Sequence, residues 1–350
     1  MNHSPDPRSP EVSVLMSCYN GSRWLGEAID SVLSQTCRDF EFIIVDDGST
    51  DNTLELIKTY SAKDSRIVVV PKKNTGLADS LNSGLAVAKG DWIARMDQDD
   101  ICEPDRLAEQ IAFVRAKPET VLLGSAFTEI DELGRPIREN YYPGGHRALV
   151  RNLEGLMRFF PHSSAFCSAA AVKAAGGYNP RIARAEDWRL WPELSTRGRL
   201  ACHPKPLVRI RMHPDRMSLD DNGRSQLCDT VVDLVCYFLK KVGHEDPSSA
   251  DYPEEKWRVF CAWVVSEIKC SGFIEQREAW GAARAEYMNG GLAGLARFAA
   301  SLAGSGHAVA MVRHKLFGSP LPRQLAAKWA KHLQDPVGGL KVGSVTGRLE

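Results

Sequence analysis

The sequence predicts an α/β domain on a mostly parallel sheet, followed by a helical region. Three observations predict it. Short β-rich apolar runs alternate with amphipathic stretches through the first 130 residues. After Gly124 the alternation weakens and Gly/Pro turns multiply. From Ser225 onward, apolar residues recur at helical spacing.

Each element follows in order. Residues 1–10, MNHSPDPRSP, are polar and Pro-rich, lack the apolar core of a signal peptide, and read as a disordered leader. Val12–Ser17 is the first strand, and a helix from Ser22 to Gln35 puts Trp24, Leu25, Ala28, Ile29, Val32 and Leu33 on one face. Strand Phe42–Val45, helix Asp51–Tyr60, strand Ile67–Val70, helix Thr75–Ala88 and strand Trp92–Met96 come next. Pro104 suits the first turn of the following helix, which leads to a strand at Val121–Gly124. Such alternation implies a parallel sheet covered on both faces, with ligands bound at the carboxyl ends of its strands. Beyond residue 222, Leu227, Val231, Leu234, Val235 and Phe238 form one helical stripe. Trp257, Cys261, Val264, Val265 and Ile268 form another. The domains read as 11–222, divided at 124/125, and a helical region 223–350.

Composition removes several function classes. Of 350 residues, 43% are hydrophobic and 25% charged, and Lys+Arg and Asp+Glu each total 44, so no net field draws nucleic acid. The nine cysteines form no C-x-x-C pair and read as reduced thiols. No run approaches the roughly 18 uninterrupted apolar residues of a membrane span. The expected location is the cytoplasm.

The chemistry sits in two acidic clusters at predicted strand ends. Asp46-Asp47-Gly48-Ser49-Thr50-Asp51 follows one strand and Asp97-Gln98-Asp99-Asp100 follows another. Carboxylates so close repel one another unless a positive group sits among them. Mg²⁺ or Mn²⁺ takes oxygen ligands from one or two carboxylates plus substrate phosphates. Asp-Gly-Ser-Thr alone is also good turn and cap chemistry. Two clusters at the ends of two strands of one α/β unit favour function.

The residues resemble glycosyltransferase family 2. The run Val12 to Asn20, Ser31–Thr36, and Val45-Asp46-Asp47-Gly48-Ser49-Thr50-Asp51 carry the first part of the resemblance. Asn74–Ala78, Leu81–Gly84, Ala88-Lys89-Gly90 and Ala94 to Asp100, with its Asp-x-Asp, continue it. Gly176-Gly177-Tyr178, Glu186-Asp187-Trp188 and Arg211-Met212-His213 complete it. The match spans about residues 11–218; Ile210 stands where a Tyr often precedes Arg-x-His. The resemblance implies a GT-A (Rossmann-like) fold, a nucleotide-sugar donor, Mn²⁺ or Mg²⁺, and inversion at the anomeric carbon. It makes 11–124 the nucleotide-binding half and 125–222 the acceptor half.

The resemblance also implies roles. Ser17, Tyr19, Asn20, Asp46, Asp47, Asn74, Asn82, Arg95, Asp97 and Arg211 are expected on the donor. Tyr19 stacks the base, Asp47 accepts from it, and Arg211 meets the diphosphate. Asp99, with Asp97 and His213, is expected to hold the metal. A single displacement needs a base on the acceptor side. Asp187 is that candidate, with Glu186 as its alternative or partner; helix-dipole capping is the plain reading of the same pair. His162 is a candidate for the acceptor side. UDP is favoured by resemblance alone, and a glycan or lipid-linked acceptor in bacterial surface polysaccharide synthesis is the expected context.

Residues 289–350 carry eight Lys/Arg against Asp335 and Glu350, and Leu321, Leu325, Trp329 and Leu333 repeat every four residues. A basic amphipathic helix in 289–335 can lie on an anionic membrane at its inner face, or pack on its own domain or on a second subunit of a homodimer. Two other functions stand as alternatives. A sugar nucleotidyltransferase needs a Gly-rich loop after strand one, where Ser17 to Ser22 holds one glycine. A non-catalytic nucleotide-sugar binding module does not need Asp97, Asp99 and Asp187.

Overall fold

The structure is a computed structural model and describes residues 9–182, 184–216, 223–278 and 318–334. Contacts divide the chain into Met1–Leu153 with Arg158–Asn222, and Glu154–Met157 with Gly223–Glu350.

The first unit is built on a mixed sheet. Strands β1 (Val12–Cys18), β2 (Phe40–Asp46), β3 (Ile67–Pro71) and β4 (Trp92–Met96) are mutually parallel in the order β3-β2-β1-β4. β1 and β2 are buried along their whole length, because helices cover both faces. The pleat divides their side chains between two cores. Val14, Met16, Phe42 and Ile44 face α1 (Ser22–Leu33), whose Leu25, Ala28, Ile29 and Val32 form one stripe. Leu15, Ile43 and Val45 face Ala78 and Leu81 of α3 (Leu77–Val87). Gly84 lets α3 lie close, since a Cβ there would sit 2.2 Å from Leu15 Cδ1. Helix α2 (Thr53–Ser61) links β2 to β3.

Past β4 the sheet becomes mixed, in keeping with the mostly parallel sheet expected from the sequence. β5 (Ile101–Cys102) pairs antiparallel with β9 (Arg199–Arg211). Helix α4 (Arg106–Ala116) leads to β6 (Thr120–Ile130) and the hairpin strand β7 (Pro136–Asn140). Pro104 lies before α4, with Asp105 at the N-cap, and its carbonyl accepts the Thr36 amide at 2.8 Å. After α5 (His146–Glu154), a 3₁₀ turn His162–Ser164 enters β8 (Phe166–Ser168), which runs antiparallel between β4 and β6. α6 (Ala169–Ala175) and α7 (Glu186–Ser195) precede β9, which pairs parallel with β6. The carboxyl ends of β1, β2, β4, β6 and β9 therefore share one sheet edge.

In the second unit, α8 (Arg224–Lys241) and α9 (Glu254–Cys270) accompany α10 (Leu321–Gln334). Trp329 of α10 packs on Phe260 and Trp263 of α9 at ring distances of 5.0 and 4.9 Å. Leu325 and Trp329 are buried, while Leu333 is 48% exposed. Most of this stripe of α10 is spent on the unit's own helices, which is the packing alternative of the sequence reading. Residues 289–317 lie outside the described residues. Among the described residues, no helix is long and apolar enough to cross a membrane.

Candidate active site

Two loops at the ends of β1 and β2 lock together. The Asn20 amide donates to Ser49 Oγ at 3.0 Å, and Asn20 Oδ1 accepts from the Thr50 amide at 2.8 Å. Asn20 holds a left-handed φ of 48°, which asparagine tolerates. Asp51 accepts from the Thr53 and Ser22 amides at 3.0 and 3.3 Å, so it secures the starts of α2 and α1. Tyr19 stands 47% exposed beside buried Ser17, available as a stacking face.

Asp47 is committed to the next loop. Its Oδ1 accepts from Lys72 Nζ at 2.6 Å and the Thr75 amide at 3.0 Å, and its Oδ2 from the Gly76 amide at 3.0 Å. Burial alone would raise this carboxyl, but the bonds from Lys72, Thr75 and Ser80 hold it below its ordinary range. It therefore anchors the loop entering α3, where the sequence reading has it meeting the base. Asp46 is buried and accepts from the Ser49 amide at 3.3 Å, and its Oδ1 lacks a partner. Asn74 is exposed on the loop that closes against Gly48, where a Cβ would meet the Asn74 nitrogen at 2.7 Å.

The second acidic cluster is layered. Arg95 is buried on β4; its Nη2 donates to Asp97 Oδ1 at 2.6 Å and its Nη1 donates to the Met96 carbonyl. Asp97 Oδ2 meets Ser163 Oγ, and the same hydroxyl meets Asp100 Oδ2. Burial and the charges of Asp99 and Asp97 push Asp100 well above the usual carboxylate range. Burial also opposes ionisation of Asp97, but Arg95, His162 and Ser163 outweigh it and hold Asp97 below the usual range.

Asp99 and His213 meet at the rim, with Oδ2 and Nε2 2.8 Å apart. Trp24 packs on the His213 ring at 4.4 Å, and His213 Nδ1 is buried without a partner. Arg211 backs this pair. Its Nε donates to the Asp99 carbonyl at 3.0 Å, Nη1 to the Glu132 carbonyl at 3.0 Å, and Nη2 to Glu27 at 2.8 Å. Below the loop, Arg106 is fully buried; Gln110 accepts from its Nε at 3.1 Å and the Arg95 carbonyl from its Nη2 at 2.8 Å.

Among the described residues, no group of three or more His, Cys, Asp or Glu gathers to hold a metal. A carboxylate and an imidazole at one point still fit Mn²⁺, which accepts both donors and takes its remaining ligands from phosphates and water. Asp97, engaged by Arg95 and Ser163, is second to Asp99 in that set.

On the acceptor side, Glu186 and Asp187 open α7. The pair divides its work. Glu186 is buried 3.2 Å from His162 Nδ1, while His162 Nε2 lies 2.9 Å from the Tyr178 hydroxyl. Asp187 accepts from the Trp188 amide at 2.9 Å. Burial, helped by Glu186 and opposed by His162, raises Asp187 to about 6. The helix dipole favours its charge by about 0.3–1 kcal/mol, so burial wins.

Three residues expected on the donor have protein partners in this structure. Asn82 uses both ends of its amide on the backbone of Tyr178, at 2.7 and 2.9 Å. Arg211 and Arg95 are buried and spend their guanidinium groups as described above. A backbone turn offers the amide complementary groups, and a buried cation must be paired.

Sequence reasoning missed Gln98 and Ser163 and left His162 peripheral. Gln98 Oε1 accepts from the Tyr19 amide at 3.0 Å and its Nε2 donates to the Tyr19 carbonyl at 3.2 Å, which ties the first loop to the acidic loop. Gly21 is the available signal, since any Cβ there would lie 2.1 Å from Gln98 Oε1.

With this geometry in hand, the chain can be set beside known proteins. A family model described as glycosyl transferase family 2 matches residues 13–175. An uncharacterized glycosyltransferase of Haemophilus influenzae is 31% identical over 245 residues, covering 67% of this chain and 76% of that protein. The amylovoran biosynthesis glycosyltransferase AmsE of Erwinia amylovora is 32% identical over 210 residues, covering 59% of this chain and 78% of its own. The structure of S. aureus TarS in complex with UDP-GlcNAc superposes with a TM-score of 0.57 at 17% identity, covering 92% of each chain. The mannosyltransferase PcManGT of Pyrobaculum calidifontis, in complex with GDP-Man and Mn²⁺, gives 0.51 at 18% identity, covering 95% of this chain and 90% of that one. At these identities the structural likeness shows a shared fold, the GT-A arrangement.

Proposed function

Because the chain belongs to glycosyltransferase family 2, we propose that it transfers a sugar, with inversion, from a nucleoside diphosphate donor to an acceptor hydroxyl. UDP is the proposed nucleotide, and surface polysaccharide synthesis, the role in AmsE's name, the proposed context. One observation carries the mechanism. Adjacent residues Ser163 and His162 touch Asp97 and Glu186 respectively, so the two carboxylate pairs lie on either side of one turn.

The donor's base lies against Tyr19, on the loop fixed by Gln98 and Ser49. Asp99 and His213 would hold Mn²⁺ or Mg²⁺, and such an ion would supply charge neutralisation for the departing diphosphate. Asp187 takes the acceptor's hydroxyl proton while that oxygen bonds to the anomeric carbon and the carbon–phosphate oxygen bond breaks. Its carboxyl, near 6, is ionised at neutral pH and still basic enough to bind a proton. Glu186, held by His162, is its neighbour rather than a second base.

A screen of UDP-, GDP- and dTDP-sugars with Mn²⁺, read by thermal shift and nucleotide release, tests this. The expected result is stabilisation and release with one nucleotide class. Neither response with any donor overturns the reading.

A further inference from the structure

The 3₁₀ turn His162–Ser164 takes no proton and holds no ligand in the chemistry above, yet it touches both halves of the site. Resting on the proposed transferase reading, we infer that His162 and Ser163 are positioning residues that set the spacing between the donor-side carboxylates and the acceptor-side base.

Neighbouring residues of a 3₁₀ turn project about 120° apart. Ser163 is thereby directed to Asp97 and Asp100, and His162 to Glu186 and Tyr178. The turn is pinned from several directions. Ser163 and Ser164 are fully buried, Ser164 Oγ donates to the Pro161 carbonyl at 2.8 Å, and the Ala165 amide donates to the His162 carbonyl at 2.9 Å. From α4, Gln110 Nε2 donates to the Ser164 carbonyl at 2.9 Å; from β4, the Arg95 amide donates to the Ala165 carbonyl at 2.9 Å. Tyr178, the far anchor of His162, is itself held by Asn82 of α3. A side chain so fixed at both ends transmits displacement rather than absorbing it. In an in-line displacement, a shift of about 1 Å costs roughly 100-fold in rate, so this spacing is worth fixing.

Among the described residues, the charged and titratable groups around the acceptor pair include His162 from the turn, Arg95 from β4, Tyr178 after α6, Cys167 on β8, and the two carboxyls themselves. His162 favours the ionised form of Asp187. Its replacement therefore moves the acid limb of the rate profile, whereas a merely structural side chain leaves the limb in place.

The test uses the full chain with UDP and Mn²⁺ as the binding probe and nucleotide release from the best UDP-sugar as the rate. His162→Gln is expected to lower the rate at saturating donor at least tenfold, move the acid limb to higher pH, and leave UDP·Mn²⁺ affinity within twofold. Ser163→Ala is expected to weaken UDP·Mn²⁺ at least fivefold and also lower the saturated rate. In the double variant the rate loss should equal the larger single loss, because both act on one spacing. A loss equal to the product of the two overturns the inference, as does an unmoved acid limb in His162→Gln. Should His162→Gln not fold, Tyr178→Phe removes one anchor of the retained His162 and is judged by the rate and double-variant criteria with Ser163→Ala. A wild-type chain that binds no UDP·Mn²⁺ and releases no nucleotide sinks the transferase reading itself, a result distinct from multiplicative losses in an active enzyme.

Discussion

Asp187→Asn should cost activity and raise stability together. The carboxyl has an ordinary value of 3.8 and stands at about 6 in the fold, chiefly through burial. A rise of roughly 2 units at 1.36 kcal/mol each makes ionised Asp187 unfavourable by up to about 3 kcal/mol. The sign follows from proton binding. Between 3.8 and about 6 the native chain binds more protons at this site than the unfolded chain. The free energy of unfolding therefore falls as pH rises through that window. The cost is absent below 3.8 and complete above about 6. Asparagine carries no such cost. The variant should melt several degrees above wild type at pH 8 and within a degree of it near pH 4. Its nucleotide release should fall about 10²–10⁴-fold, the range of a general base. Melting curves at the two pH values and a release assay at pH 8 measure both effects. A stability difference independent of pH, or a rate within twofold of wild type, would refute the assignment.

Other outcomes follow from the same geometry. Asp99→Ala and His213→Ala should each reduce Mn²⁺-supported UDP binding at least tenfold while leaving metal-free UDP binding unchanged, as calorimetry would record; unaltered metal dependence in both removes the pair from the metal site. Gly21→Ala places a Cβ 2.1 Å from Gln98 Oε1, so the Gln98 bonds to Tyr19 must break. Nucleotide affinity should fall several-fold with under about 1 kcal/mol of stability lost, and a chain whose affinity holds separates Gln98 from the nucleotide loop. Trp329→Ala should destabilise the second unit by about 3–5 kcal/mol in urea melts, since Trp329 is buried against Phe260 and Trp263; a loss under 1 kcal/mol contradicts that packing.

What the sequence discloses is what lies close along the chain. β4 begins and ends where the apolar run Trp92–Met96 does, because a buried strand and the acidic turn after it are local signals. Both acidic clusters follow strands for the same reason. β8 was not legible: three residues make too short a run for a period to show. The partners that decide a side chain's role were not legible either. Asn82 reaches Tyr178 across 96 positions, Ser163 reaches Asp97 across 66, and Arg211 reaches Glu27 across 184. An asparagine on a helix reads alike whether it clasps a turn or a ligand, and topology alone decides between them. Gln98 shows the converse, since its place between two aspartates gives no hint that its amide spans to Tyr19.

The Asp99–His213 contact joins residues 114 positions apart, on a loop made early and a segment that leaves the last strand of the sheet. During synthesis the aspartate emerges long before its imidazole, at about 5–20 residues per second. A ribosome-bound chain thus lacks this corner of the site for several seconds, and a product truncated before residue 213 never acquires it. Closure of the pair reports that the first unit has been translated through its last strand and folded.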